Sequence, residues 1–197
     1  MTGVANTAGV LALLALALAS CAAPPVVRYT LGQSAAGGPA MALGREAIVI
    51  AVSRVSLPDY LDTQDILVRR GNALEASHLG RWASRLSLGV TELLTARLAR
   101  SRPDALVTDQ PQGGVPSYRL LINVSRLDVA ADGGATEGSA ALEADWAIVS
   151  HDPAVATLRD RVRLVATGPI GTDQDVVALE AKLLGQLAGA VDITRLR

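Results

Sequence analysis

The stretch Tyr118-Arg119-Leu120-Leu121-Ile122-Asn123-Val124-Ser125 decides the fold. Tyr118, Leu120, Ile122 and Val124 occupy every second position, with Arg119, Leu121, Asn123 and Ser125 between them. Only a β-strand sends alternate side chains to opposite faces. The pattern recurs downstream: Leu142, Ala144, Trp146 and Ile148 alternate with Glu143, Asp145 and Ala147, then Val162 and Leu164 with Arg161 and Arg163. Gly133-Gly134 and His151-Asp152-Pro153 separate the three runs, which predicts an antiparallel meander with one buried and one wet face.

Working outward, residues 47–55 are rich in Ile and Val and predict a buried strand. In Leu57-Pro58-Asp59-Tyr60-Leu61-Asp62 the proline cannot donate to a ladder and sets a turn. Residues 66–70 and 73–77 predict a hairpin in which Gly71-Asn72 supply the positive φ angles. Residues 26–31 predict a short edge strand and 105–107 another short strand. Trp82, Leu86, Val90, Leu93, Leu94 and Leu98 follow helical spacing and predict an amphipathic helix of about five turns ending before Pro103. A second helix is predicted from about Thr172 to Ile193, with Val176, Leu179, Leu183, Leu187 and Ala190/Val191 as its stripe and Asp173 and Asp175 at its positive end. The expected architecture is α/β of the α+β type: a mixed, largely antiparallel sheet with two amphipathic helices packed on one face.

The 197 residues carry 18 basic and 19 acidic side chains, and that neutrality argues against nucleic acid as a partner. Half the residues are hydrophobic, yet Phe is absent and aromatics make up 3%, so the core must be built from small aliphatic side chains. The single Cys rules out an intrachain disulfide and argues against a thiolate zinc site.

Met1 to Ser20 contain no charged side chain, and residues 10–19 are continuously apolar. A bilayer span needs about 20 apolar residues, so this run has the length of a secretory signal instead. Its end, Leu18-Ala19-Ser20-Cys21, resembles the bacterial lipoprotein box. That resemblance implies cleavage before Cys21, a lipid thioether on its sulfur and further acyl chains such as palmitate. Two or more chains anchor a protein stably where one does so only marginally. Ala22, where Asp would imply inner-membrane retention, implies the periplasmic face of the outer membrane. The chain divides into a signal (1–20), a lipidated N-terminus and Gly/Pro-rich tether (21–46) and a folded domain (47–197).

Catalytic chemistry is not written in the motifs. Gly-x-Ser-x-Gly, a phosphate loop, His-Glu-x-x-His and Gly-x-Gly-x-x-Gly are all absent. His78, expected just before the first helix, and His151, in a hairpin turn, have no metal-spaced neighbours. Asp59, Asp62 and Asp65 recur every third residue, but a calcium loop needs ligands two apart and a closing Glu, so turn and capping roles are expected. Arg69, Arg70, Arg81 and Arg85 could form a basic strip near the hairpin or simply be solvated. No enzyme activity, metal or cofactor is expected.

Taken together, Cys21, Tyr29-Thr30-Leu31, Leu57-Pro58-x-Tyr60-Leu61-Asp62, Ile66-Leu67-Val68-Arg69, Arg81-Trp82 at the start of the first helix and Trp146 in its strand resemble the ABC-type transport auxiliary lipoproteins, the PqiC-like group. The resemblance implies an auxiliary role in intermembrane lipid transport. The partners it implies are an MCE-domain periplasmic protein, an inner-membrane permease reached through it, and the outer membrane through the lipid anchor. A ring-like homo-oligomer would suit that docking role, though no residue pattern dictates one. The loop Leu57, Pro58, Tyr60, Leu61 and Asp62 is the candidate contact surface; the alternative is a turn whose Tyr60 packs on its own domain. The other readings are a lipid-binding carrier and a structural or assembly lipoprotein of the envelope.

Overall fold

The computed structural model of the chain describes residues 25–32, 44, 47–131 and 136–196. Leu18, Ala19, Ser20 and Cys21, the Gly133-Gly134 turn and most of the Gly/Pro-rich stretch lie outside the described residues. The elements run β1 (Val27–Tyr29), β2 (Val49–Val52), β3 (Asp65–Arg70), β4 (Ala73–Trp82), α1 (Leu86–Ser101), β5 (Leu106–Thr108), β6 (Tyr118–Ala131), β7 (Glu137–Ser150), β8 (Leu158–Pro169) and α2 (Asp173–Ala190).

The alternation that opens the sequence reading becomes the spine of one eight-stranded sheet. Strand β6 pairs antiparallel with β7 along nearly its whole length, and β7 pairs antiparallel with β8. Its opposite edge is shared. Strand β2 lies parallel to the first half of β6, while β3 meets its far end parallel, at Arg69 and Ala130. Strand β5 extends the sheet beyond β2, and β4 and then β1 extend it beyond β3. The sheet is mixed, as parallel and antiparallel ladders both occur, and it is not closed into a barrel.

Leu120, Ile122 and Val124 are buried on one face of β6. A register shift between Val124 and Arg126 then switches the buried positions to Leu127 and Val129. A bulge adds one residue to one strand, which is how the odd positions take over without turning the strand away from the core. Leu142, Ala144, Trp146 and Ile148 of β7 are buried on the same face. Helix α2 lies across β8, β7, β6, β3 and β4 there, and α1 packs against α2 and β5. Leu94 and Leu98 of α1 and Leu183, Leu184 and Leu187 of α2 are fully buried. Both helices therefore cover one face, and the core is aliphatic with Trp82 and Trp146 as its large rings.

Helix α2 starts at a capping box: the Thr172 hydroxyl accepts the Asp175 N–H at 3.2 Å, and Asp175 Oδ2 accepts the Thr172 N–H at 3.0 Å. Two of the unsatisfied N–H groups that any helix start exposes are thereby met.

Two sequence readings need correction. Arg81-Trp82 does not open a helix. Trp82 closes β4, donates its N–H to Gln64 O and pairs with Tyr29 of β1, and α1 begins at Leu86. Its spacing to Leu86 and Val90 imitates a helical stripe because strand and helix bury apolar residues in the same core. His78 accordingly sits within β4. In the hairpin turn only Gly71 has a positive φ, 60°, so Asn72 does not share the left-handed region.

Candidate functional site

The loop singled out in the sequence joins β2 to β3 and is tied to the start of α1 through Asp62 and Thr63. Leu57 and Leu61 fold inward: Leu61 is buried and Leu57 packs against the core. Leu61 and Asp62 both donate backbone N–H groups to Pro58 O, at 2.9 and 3.1 Å, so the proline heads a tight turn. Tyr60 at its tip remains 42% exposed.

Behind Tyr60 stands an ionic cluster. Arg69 of β3 grips Asp128 of β6 with two hydrogen bonds, Nε to Oδ2 and Nη2 to Oδ1, both 3.1 Å, and Arg126 Nε reaches Oδ2 at 3.0 Å. Asp128 is buried beneath these partners. The forked geometry matches a carboxylate on both prongs, so it locks β3 to β6 where only one residue pair joins them. The Tyr60 hydroxyl lies within electrostatic reach of Arg69, Arg126 and Asp128. Burial and then the Asp128 charge push that hydroxyl's pKa above the ordinary tyrosine value, outweighing Arg69 and Arg126. Tyr60 is therefore a neutral, half-exposed phenol.

Asp62 serves the fold. Its Oδ1 accepts the Ser87 N–H at 3.0 Å, and Arg85 bonds both its carboxylate and its carbonyl oxygen. The other predicted residues are structural too. Arg81 pairs with Asp65 at 3.0 Å and bonds Gly80 O and Ser77 O. Trp82 and Trp146 are buried, and the Trp146 Nε1–H finds no acceptor. The suggested basic strip does not form, since Arg69, Arg70, Arg81 and Arg85 each meet a carboxylate: Asp128, Glu75, Asp65 and Asp62.

The sheet face turned away from the helices hollows into a trough of about 770 Å³. Leu121, Asn123, Asp145 and Ala147 line it, with Ser53 and Ser56 on one wall and Arg159 and Arg161 on the other. Register sets this floor: Leu121 lies opposite Ala147, Asn123 opposite Asp145, and Asp145 opposite Arg161, to which it is bonded at 2.7 Å. The trough is a feature the sequence reading missed. Its signal was Leu121, an apolar side chain on the strand's wet face, now 42% exposed.

Among the described residues no group of His, Cys, Asp and Glu is placed to hold a metal, and no helix is long and apolar enough to cross a membrane. The most perturbed titratable group, Glu180, is 4% exposed on the core face of α2 with Oε2 unpartnered. Burial, with the Asp128 charge adding to it, raises its pKa to about 8.

Residues 29–192 match the family described as ABC-type transport auxiliary lipoprotein component. Two solved structures share the fold. One, a crystal structure of an uncharacterized protein, aligns with a TM-score of 0.63 at 19% identity, covering 73% of this chain and 89% of that one. The other, protein XCC0632 of Xanthomonas campestris, aligns with a TM-score of 0.57 at 17% identity, covering 86% and 91%. No curated protein sequence matches the chain.

Proposed function

The chain belongs to the ABC-type transport auxiliary lipoprotein component family, and from that premise we propose that it is a non-catalytic docking subunit. Acylated at Cys21 and held on the periplasmic face of the outer membrane, it receives an MCE-domain protein that leads to an inner-membrane permease. The observations that carry this reading are the half-exposed Tyr60 at the loop tip and the trough around Leu121 on the sheet face opposite the helices. Aromatic side chains make good contact anchors because they bury a large area for little rotamer freedom lost on binding. The tests are acyl mass on Cys21 and co-purification from detergent-solubilised membranes. Recovery of an MCE-domain protein supports the reading; an acylated chain that brings none down refutes it.

A lipid-carrier role has one observation in its favour, the apolar floor of the trough. That trough is open along the sheet face rather than enclosed beneath the helices, which suits a protein surface better than a sequestered acyl chain.

A further inference from the structure

Strand β1 changes how the domain can stand on a membrane. Val27, Arg28 and Tyr29 pair in parallel with Gly80, Arg81 and Trp82, so the fold takes up the chain at Val27 and not after the Gly/Pro-rich stretch. Between Cys21 and Val27 lie residues 22–26 alone. Even fully extended, six steps of chain reach roughly 20 Å. A domain of ~150 residues has a radius of gyration of about 15 Å, so its diameter exceeds that reach. The expected tether of residues 21–46 is thus interrupted by β1, the short strand expected within it, and only residues 22–26 separate Cys21 from the fold.

The edge at β1 has the composition of an interfacial contact. Val26 is 52% exposed, Val27 49% and Leu79 49%. Leu79 directly precedes Gly80, the register partner of Val27. Because β1 runs parallel to β4, the chain traced back from Val27 heads past Leu79 and His78 toward the turn at Gly71. Beside the apolar residues, Arg28 is exposed and takes part in none of the ion pairs among the described residues, while its register neighbour Arg81 is neutralised by Asp65. A guanidinium next to exposed aliphatic side chains suits a surface with phosphate above and acyl chain below.

We propose that the β1/β4 edge, through Val26, Leu79 and Arg28, rests on an anionic phospholipid surface: the bilayer in which the acyl chains of Cys21 are held. This rests on the anchoring reading above and adds to it an orientation. The β1 end of the sheet lies down on the membrane, and the β6–β8 trough on the helix-free face is left open to the periplasm.

The test uses the full acylated chain, in which Cys21 has no free thiol. Leu79→Cys and Val155→Cys each carry an environment-sensitive fluorophore, Val155 being an exposed residue in the turn between β7 and β8. Both proteins are placed in vesicles of phosphatidylcholine and phosphatidylglycerol bearing a headgroup nitroxide. The label at 79 is expected to be quenched severalfold more than the label at 155, and the difference to shrink with Arg28→Gln or without phosphatidylglycerol. Equal quenching at both sites in protein that is acylated and floats with the vesicles overturns the orientation alone. Absence of acyl mass on Cys21 together with failure to float overturns the anchoring reading, and the orientation with it.

Discussion

Asp62 Oδ1 accepts the backbone N–H of Ser87 at 3.0 Å, across 25 positions of sequence. Helix α1 has Arg85 at its N-cap, which offers no side-chain acceptor, so the cap is delivered by the turn that also presents Tyr60. The last residue of Leu-Pro-x-Tyr-Leu-Asp thus fixes the helix start and the loop together. Leu86 N–H, bonded to Thr63 O at 3.1 Å, ties the same two segments a second time.

Replacing Asp62 with Ala should therefore cost about 1 kcal/mol, the usual value of a lost cap. Burial pushes the Asp62 pKa up, but bonds from the Ser87 backbone and hydroxyl, with Arg85 and Arg54, more than offset this and hold it below its ordinary 3.8. A depressed folded value stabilises above the unfolded pKa and is lost as pH falls through the folded one. Urea unfolding of wild type and Asp62→Ala should differ at pH 7 and converge as the pH is taken well below 4, a limit set by that same linkage.

Glu180 behaves in the opposite sense. With its folded pKa raised to about 8, the carboxyl is protonated in the core and ionised in the unfolded chain at neutral pH. Its contribution is greatest below the unfolded value and declines as pH rises toward 8. Glu180→Leu should raise stability at pH 7 by roughly 1–3 kcal/mol, since an unpaired buried carboxyl is replaced by packed hydrocarbon. Chemical denaturation at pH 5.5 and 8.0, values chosen at about the ends of the linkage window, should show the gain growing with pH.

Arg102 closes the C-terminal end. Its Nη1 donates to Ile193 O at 2.7 Å and Leu196 O at 3.1 Å, while Nε and Nη2 hold Asp104, each at 2.9 Å. Arg102→Ala leaves those buried carbonyls unmet and should cost roughly 2–3 kcal/mol. Hydrogen exchange of residues 193 and 196 should accelerate more than that of β6.

Gly138 permits the close approach of β7 to β6. A Cβ there would strike the Ala130 carbonyl oxygen and come within 2.6 Å of Ile170 Cδ1. Because one of the opposing atoms is backbone, side-chain rotation cannot relieve the clash, and Gly138→Ala should lower stability by about 1–3 kcal/mol in thermal unfolding.

The parts of the fold written locally were legible. Alternation from Tyr118 to Val124 and from Leu142 to Ile148 announced β6 and β7, and Thr172 with Asp175 announced the start of α2, because each signal lies within a few residues. What could not be read depends on distant partners. Nothing local to Val27 says that it pairs with Gly80, and nothing near Asp62 says that it caps at Ser87. Trp82 was drawn into the helix because a residue four before Leu86 satisfies a helical stripe as well as a strand end. Glu180 escaped notice because a carboxylate beside Leu179 normally reads as the edge of the wet face. Among Leu57, Pro58, Tyr60, Leu61 and Asp62, Tyr60 alone is exposed, and the Leu121 trough became visible only through the register of β6, β7 and β8.

The proposed docking of a transport partner on the helix-free sheet face can be tested directly. A photo-crosslinking amino acid placed at Tyr60 or Leu121, with Lys182 on α2 as the comparison site, tests it in intact cells. Crosslinks to an MCE-domain protein from positions 60 and 121, and none from 182, are the predicted result. Crosslinks from 182 alone, or none from either 60 or 121 while the acylated protein is present, would contradict it.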